Sequence, residues 1–339
     1  MKQIAERAGV STTAVSMALK NHPRLLPATC KRIQELARDM GYVPNPMVSA
    51  LMSQVALGRV VNQGVVVGVL IDRQYNPDEN TDPDSYFNTI YHGALKRLEE
   101  LGCSHEKFVF SDSQRYQRRL DQILKARGIT GILLPSVYEV GSLPDIDFAR
   151  TAVVTSGYSI PATPIHRVVP DQFGAMKLAL RELRRRGYQR PAFMTLKKLD
   201  ERINGLEYAA FLSECIRYFP GIDAGSAVGL DESWDKHSLA RLLQRCNPDV
   251  VISNYSAVEN WLGELGLNVP EDIGFLRLGR YGNPAQSHTD LNGDVIGSWM
   301  VDLLTASLNR NEIGLPPWPK RLVVPPKFVD GFTLKPVAP

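Results

Sequence analysis

From Gly64 onward the chain alternates short apolar runs with amphipathic stretches, and this alternation limits the possible folds more than any other feature. Runs at 65–71, 107–110, 130–134, 151–155, 191–195, 225–229, 249–252 and 273–278 read as strands. Between them, 87–101, 115–127, 172–187, 203–218, 235–246 and 256–265 carry apolar residues at helical spacing. Strands that alternate with helices predict parallel sheets with helices on their faces. The most apolar run, Val65 to Ile71, is far short of the ~20 residues a membrane span needs and reads as a buried parallel strand.

The residues before 64 follow a different grammar. A first helical pattern from Lys2 to Ala8 stops at Gly9, which suits a left-handed corner. Ser11 is a good N-cap for a second helix from Thr12 to about Lys20. Val15, Ala18 and Leu19 face inward there, leaving Thr12, Thr13, Ser16 and Met17 outward. A third helix, Pro27 to Met40, places Pro27 in its first turn and ends at Gly41. This is the pattern of a helix-turn-helix whose second helix enters the DNA major groove. Charge agrees: eight basic against three acidic residues leave 1–62 five units positive, whereas the remainder is two units negative. A basic segment of this kind suits a polyanion.

Residues 45–62 read as a hinge. Asn45 can cap a short helix that starts at Pro46 and is too brief to persist alone in water. Gly58 to Gly64 reads as linker.

Ile4-Ala5-x-x-Ala8-Gly9-Val10-Ser11-x-x-x-Val15-Ser16, followed by Gly41-Tyr42-x-Pro44-Asn45, resembles the head of LacI/GalR-type transcription regulators in order and spacing. The body is similar to that family as well. Gly93-x-x-x-x-Leu98-x-x-x-Gly102, Asp171-x-x-Gly174-Ala175, Arg202-x-x-Gly205, Val269-Pro270-Glu271-Asp272-Ile273 and a Gly297 leading a long helix carry that similarity. The resemblance implies a three-part chain: an all-α head (1–44), a hinge helix with linker (45–63) and a two-lobed body (64–339). The body would resemble periplasmic binding proteins, with parallel sheets in Rossmann-like lobes. Lobe one is expected over about 64–165 with a segment near 280–297, and lobe two over 166–279 with 298–330. A homodimer on operator double-stranded DNA is implied, with a small sugar-related effector between the lobes, in the cytoplasm and without a cofactor.

By the same resemblance Ser11, Thr12, Thr13, Ser16 and Met17 form the DNA-contacting set of the second helix, with Thr12, Thr13 and Met17 facing bases and Ser16 a phosphate. Asn45 and Leu51 extend this set into the hinge, Leu51 as the wedge between base steps. Met17 stands where the family has an arginine suited to guanine, so apolar contact such as a thymine methyl replaces that reading. For the effector, Arg202 is the clamp, Trp234 the stacking aromatic and Asn254 the polar residue after a strand, with Asp72, Phe87 and Asp171 lining the cleft. Ligands of parallel α/β sheets sit at the carboxyl ends of strands, and Asp72, Asp171, Asn254 and Gly279 fall at or near such ends. Two departures leave the ligand class open: Tyr255 follows Asn254, and Arg277-Leu278-Gly279-Arg280 replaces the family's Gly-Phe-Asp-Asp. A neutral sugar, an anionic sugar derivative and loss of small-molecule sensing all remain.

Enzyme chemistry finds no foothold. There is no Gly-x-x-x-x-Gly-Lys-Ser/Thr loop, no Gly-x-Ser-x-Gly elbow and no His-Glu-x-x-His pair. Cys30, Cys103, Cys215 and Cys246 lack metal or redox spacing and read as reduced, and the six histidines cluster with nothing. The N-terminus lacks the order of a signal peptide. The competing readings are a DNA-binding dimer whose body senses no small molecule and a cytoplasmic ligand-binding protein.

Overall fold

The structure, a computed structural model, describes residues 2–19, 25–40, 65–78, 85–110, 114–135, 137, 140–141, 143–255, 257–279 and 283–337. The chain divides between Gln63 and Gly64 into two compact units.

The first unit contains three helices, α1 (Lys2–Ala8), α2 (Thr12–Leu19) and α3 (Pro27–Asp39). Gly9 turns the corner at φ +65°, a conformation that costs a side chain but not glycine. Ile4, Ala5, Ala8, Val15, Ala18, Cys30, Ile33 and Ala37 form the core, and the small residues let the helices approach. α3 secures the other two by their carboxyl ends: Gln34 Nε2 donates to Ala18 O at 2.8 Å and an Arg32 Nη2 to Ala8 O at 3.3 Å. These carbonyls have no partner within their own helices, so the bonds tie the bundle at its weakest points.

The second unit is built on two six-stranded sheets, each mostly parallel. Its strands are β1 (Val66–Asp72), β2 (Ser104–Phe110), β3 (Gly131–Leu134), β4 (Ala152–Ser156), β5 (His166–Pro170), β6 (Pro191–Leu196), β7 (Val228–Asp231), β8 (Val250–Ser253), β9 (Gly274–Leu278), β10 (His288–Asp290), β11 (Arg321–Val324) and β12 (Lys327–Val329). The first sheet runs β11-β5-β4-β3-β1-β2 and the second β12-β10-β9-β8-β6-β7. The helices between them are α4 (Tyr86–Glu100), α5 (Gln114–Ala126), α6 (Gln172–Arg185), α7 (Lys197–Arg202), α8 (Leu206–Tyr218), α9 (Lys236–Cys246), α10 (Ala257–Glu264) and α11 (Gly293–Asn309). Among the described residues no helix is long and apolar enough to cross a membrane.

The lobes differ from expectation in their chain make-up. β5 and β11 pair within the first sheet, and α11 packs on α4, β3, β4 and β5. Lobe one therefore takes 65–170 and 291–324, and lobe two 171–290 and 325–337. The expected division gave 280–297 to the first and 298–330 to the second, which would cut α11 in two. Gly297 lies one turn inside α11, not at its head. Its role is a close crossing: a Cβ on Gly297 would overlap Ile90 O, and one on Gly93 would overlap Asp294 O. α4 and α11 thus touch backbone to backbone.

Three crossovers join the lobes, after β5, after β10 and after β11, and they are tied to one another. Asp171 N–H donates to Val324 O at 2.9 Å, and Asn292 Nδ2 donates to Pro325 O at 2.8 Å.

Candidate nucleic-acid interface and ligand cleft

In the first unit, Ser11 Oγ accepts the Ala14 N–H at 3.1 Å, the capping bond that starts α2. One face of α2 is committed inward, with Val15 and Ala18 fully buried. Ser11, Thr12 and Thr13 are exposed at its N-terminus and Met17 is half-buried at the border. The opening turn therefore presents three hydroxyls beside free backbone N–H groups, a combination that suits phosphate oxygens and base edges. Ser16 lies within α2, its side chain outside the described residues; Asn45 and Leu51 also lie outside them.

In the second unit, the cleft forms where strand ends meet loops. Asp72 closes β1 and its carboxylate accepts the Gln74 N–H at 3.0 Å, capping a 3-10 turn from Arg73 to Tyr75. That turn sets the Tyr75 ring on Phe87, in the first turn of α4, with centroids 3.6 Å apart and planes 21° off parallel. From lobe two, α7 ends at Arg202, and Asn204 and Gly205 follow in left-handed conformations at φ +58° and +67°. Asn and Gly are the residues that accept this geometry. They delay the helix expected from 203 to a start at Leu206 and separate it from α7.

Arg202 spans the cleft. Its Nε donates to Ser159 Oγ at 2.8 Å, Nη1 to Tyr75 Oη at 2.9 Å, and Nη2 to Val137 O. The guanidinium carbon also stands 5.8 and 6.0 Å from the Tyr75 and Phe87 ring centroids, within cation–π range. The residue expected to clamp a ligand thus latches lobe two to lobe one. Tyr75, Ser159 and Val137 were not foreseen from sequence. Only Tyr75 left a signal, as an aromatic three residues beyond the end of β1.

The lobe-two wall combines polar atoms with acid. Asn254, just past β8, donates through Nδ2 to Glu207 Oε2 at 3.0 Å. Its Oδ1, Thr195 Oγ1 and Asp200 Oδ1 are buried without a hydrogen-bond partner among the described residues. Glu207 is fully enclosed, and burial pushes its carboxyl up to about 7; the bond from Asn254 opposes the rise and the Asp200 charge adds to it. Burial also raises Asp200, and the Glu201 charge adds to that. Unsatisfied buried acceptors each cost about 1–3 kcal/mol unless a donor reaches them.

The other expected residues have structural employment. Trp234 donates from Nε1 to Thr195 O at 2.8 Å and its ring packs on β7, where a Cβ on Gly229 would overlap it. Asp171 accepts the Gly174 N–H at 2.8 Å as the cap of α6. Arg277, within β9, is not placed to draw an anion into the cleft. It is 0% exposed and donates to Gly279 O at 3.1 Å and to Gln286 Oε1 at 2.7 Å. Gln286 in turn donates to Glu259. The charge of Arg277 is thereby held inside lobe two, and Arg280 lies outside the described residues.

Comparison with known proteins places this geometry in context. The family model of bacterial regulatory proteins, lacI family, matches residues 1–45. HTH-type transcriptional regulator GalR of Escherichia coli (strain K12) is 23% identical over 304 residues, covering 81% of this chain and 78% of the relative. Among solved structures, the transcriptional regulator CelR–cellobiose complex aligns at TM-score 0.62 and 20% identity, over 97% of this chain and 98% of that one. The Lac repressor dimer bound to operator and the anti-inducer ONPF aligns at TM-score 0.58 and 16% identity, over 98% of both chains.

Proposed function

We infer from the lacI-family head at residues 1–45 and the two-lobed body that this chain is a sequence-specific, DNA-binding transcription regulator. It acts as a homodimeric repressor in the cytoplasm, and its operator affinity is set by a small effector between the lobes. It belongs with DNA-binding regulators, not with enzymes. The observation that carries this reading is the capped N-terminus of α2, with Ser11, Thr12 and Thr13 exposed on a basic unit that matches the family model.

Two heads, one from each subunit, read half-sites about one helical turn apart. Basic residues supply salt-dependent phosphate affinity, while Thr12, Thr13 and Met17 meet bases. Ser16 and Asn45 approach the backbone, and Leu51 wedges a central base step.

In the body, the effector competes with Ser159, Tyr75 and Val137 for Arg202, and so changes how the lobes close. Whatever changes lobe closure in one state and not the other is thermodynamically linked to operator affinity. Asn254 Oδ1, Thr195 Oγ1 and Asp200 Oδ1 are acceptors in want of donors, which supports a neutral polyhydroxyl ligand; Phe87 and Tyr75 supply an apolar wall. Asp72 and Asp171 shape the edges through their turns, and Trp234 backs the Thr195 strand end. The cellobiose bound to CelR supports the same class. A second reading, a dimer whose body senses no small molecule, draws on the latch, which already occupies Arg202 with protein groups.

Selection of random-sequence DNA pools by the purified chain at fixed salt tests the reading. Enrichment of a palindrome is expected, and failure to enrich any sequence would overturn it. Repeating the selection with neutral disaccharides separates the two readings, because only a sensing body changes the retained fraction.

A further inference from the structure

A cavity of about 420 Å³ opens beside the latch, lined by Tyr158 and the loop that follows it, by Arg167, Lys320 and Arg321, and by Asn204 of lobe two. Among the described residues, Arg167, Lys320 and Arg321 are the charged ones of this lining, and none of the lining is a carboxylate. Arg167 is 7% exposed and fixed in place by donating from Nη2 to Ile160 O at 2.7 Å. Burial pulls its pKa below the ordinary arginine range, and the charge of Arg321 pulls it down further, so the two cations feel each other. Arg321 is held over the Tyr158 ring at 5.4 Å.

The acids nearby have their main partners elsewhere. Glu312 is gripped by Arg310 through bonds of 2.6 and 2.8 Å, and Asp171 caps α6. Glu312 also feels the charge of Lys320, whereas Arg167 feels that of Arg321, so the two arginines still repel each other and a bound anion offsets that repulsion. A phosphate-type oxyanion suits the site best: Arg321 can meet two of its oxygens at once, and Lys320 supplies a point charge. The Asn204 amide would reach the ligand from the other lobe.

We propose that this cavity is a second ligand site, separate from the effector cleft, that takes a phosphate-type oxyanion between lobe-one cations and Asn204. It borders the latch along both loops, since Tyr158 precedes Ser159 and Asn204 follows Arg202 by two residues. An anion held there favours the latched arrangement. The site shares no side chain with Arg202 or its acceptors, so it stands or falls apart from the effector reading.

Titration calorimetry of the full chain, at matched ionic strength, compares inorganic phosphate, glucose 6-phosphate and glucose. Saturable binding of both phosphates is expected. Arg321→Ala with Lys320→Ala should weaken it at least tenfold and Asn204→Ala severalfold, while Arg321→Lys keeps most of it. Arg181→Ala, on the exposed side of α6, should change nothing. Both cations are exposed, so their removal leaves the fold standing, and the melting temperature without ligand checks this. Tighter binding of glucose 6-phosphate identifies an organic phosphate; equal binding identifies the free oxyanion. Absence of saturable phosphate binding would overturn the proposal, as would binding that survives the double substitution. Glucose heats that match those of glucose 6-phosphate and survive it would place the ligand in the cleft and have the same effect.

Discussion

Glu207→Gln should make the body more stable at neutral and alkaline pH, although it removes a hydrogen-bonded carboxylate. In the folded chain the Glu207 carboxyl holds its proton up to about pH 7, against an ordinary value of 4.5, because it is buried. The unfolded chain releases that proton near the ordinary value. Wild-type stability from this group is therefore complete below about pH 4.5, declines as pH rises, and is fully lost above about pH 7. At about 1.4 kcal/mol per pH unit the loss amounts to about 3 kcal/mol. Asp200, raised by the same burial, adds to the slope. Glutamine keeps an acceptor for Asn254 Nδ2 and offers its own N–H groups to the unsatisfied Asn254 Oδ1, with nothing to ionise. Urea unfolding of both proteins at pH 5, 6, 7 and 8 should show near-equal stability at pH 5 and a variant ahead by about 3 kcal/mol at pH 8. A gap that does not change with pH, or one that favours wild type at pH 8, would refute the account of a buried carboxyl held neutral.

Three further outcomes follow from the same geometry. Thr12→Ala and Thr13→Ala, both at exposed positions, should leave melting unchanged and weaken a selected operator by about 1–3 kcal/mol each, read by fluorescence anisotropy. Gly297→Ala drives a methyl into Ile90 O and should cost about 1–3 kcal/mol in thermal unfolding, whereas an unaltered melting temperature would mean the helices do not touch there. Tyr75→Phe with Ser159→Ala removes two acceptors from Arg202 at a net of about 1 kcal/mol each. X-ray scattering of that variant should show a more open body, and an unchanged profile would mean that Arg202 does not latch the lobes.

What the sequence disclosed follows the range of the forces involved. The head was readable because its signals are local: Gly9 for the corner, Ser11 for the cap, and Val15 and Ala18 three apart on one face. Element types in the body were readable for the same reason, with slips where side chains compete with the backbone. The strand expected at 225–229 starts later because Asp223 claims Gly225 N–H and Ser226 Oγ in a turn, at 3.1 and 2.6 Å. Lobe membership was not readable, since β11 joins the first sheet through pairing with β5, about 150 residues earlier in the chain. Arg202 was singled out by the family resemblance of Arg202-x-x-Gly205, but its partners Tyr75, Val137 and Ser159 come from three other segments that only lobe closure brings near. The burial of Arg277 was equally hidden, because Gln286, which accepts from it, arrives from the following loop.

The bonds between the three crossovers have a mechanical meaning. A connection of three independent tethers would let the lobes slide, twist and separate in many combinations. Joined at Asp171 with Val324 and at Asn292 with Pro325, the tethers instead behave as one strip, stiff along its width and compliant across it. Motion of one lobe against the other then reduces to a single angle. A change at the Arg202 latch then has one coordinate along which to act, set by the joined crossovers.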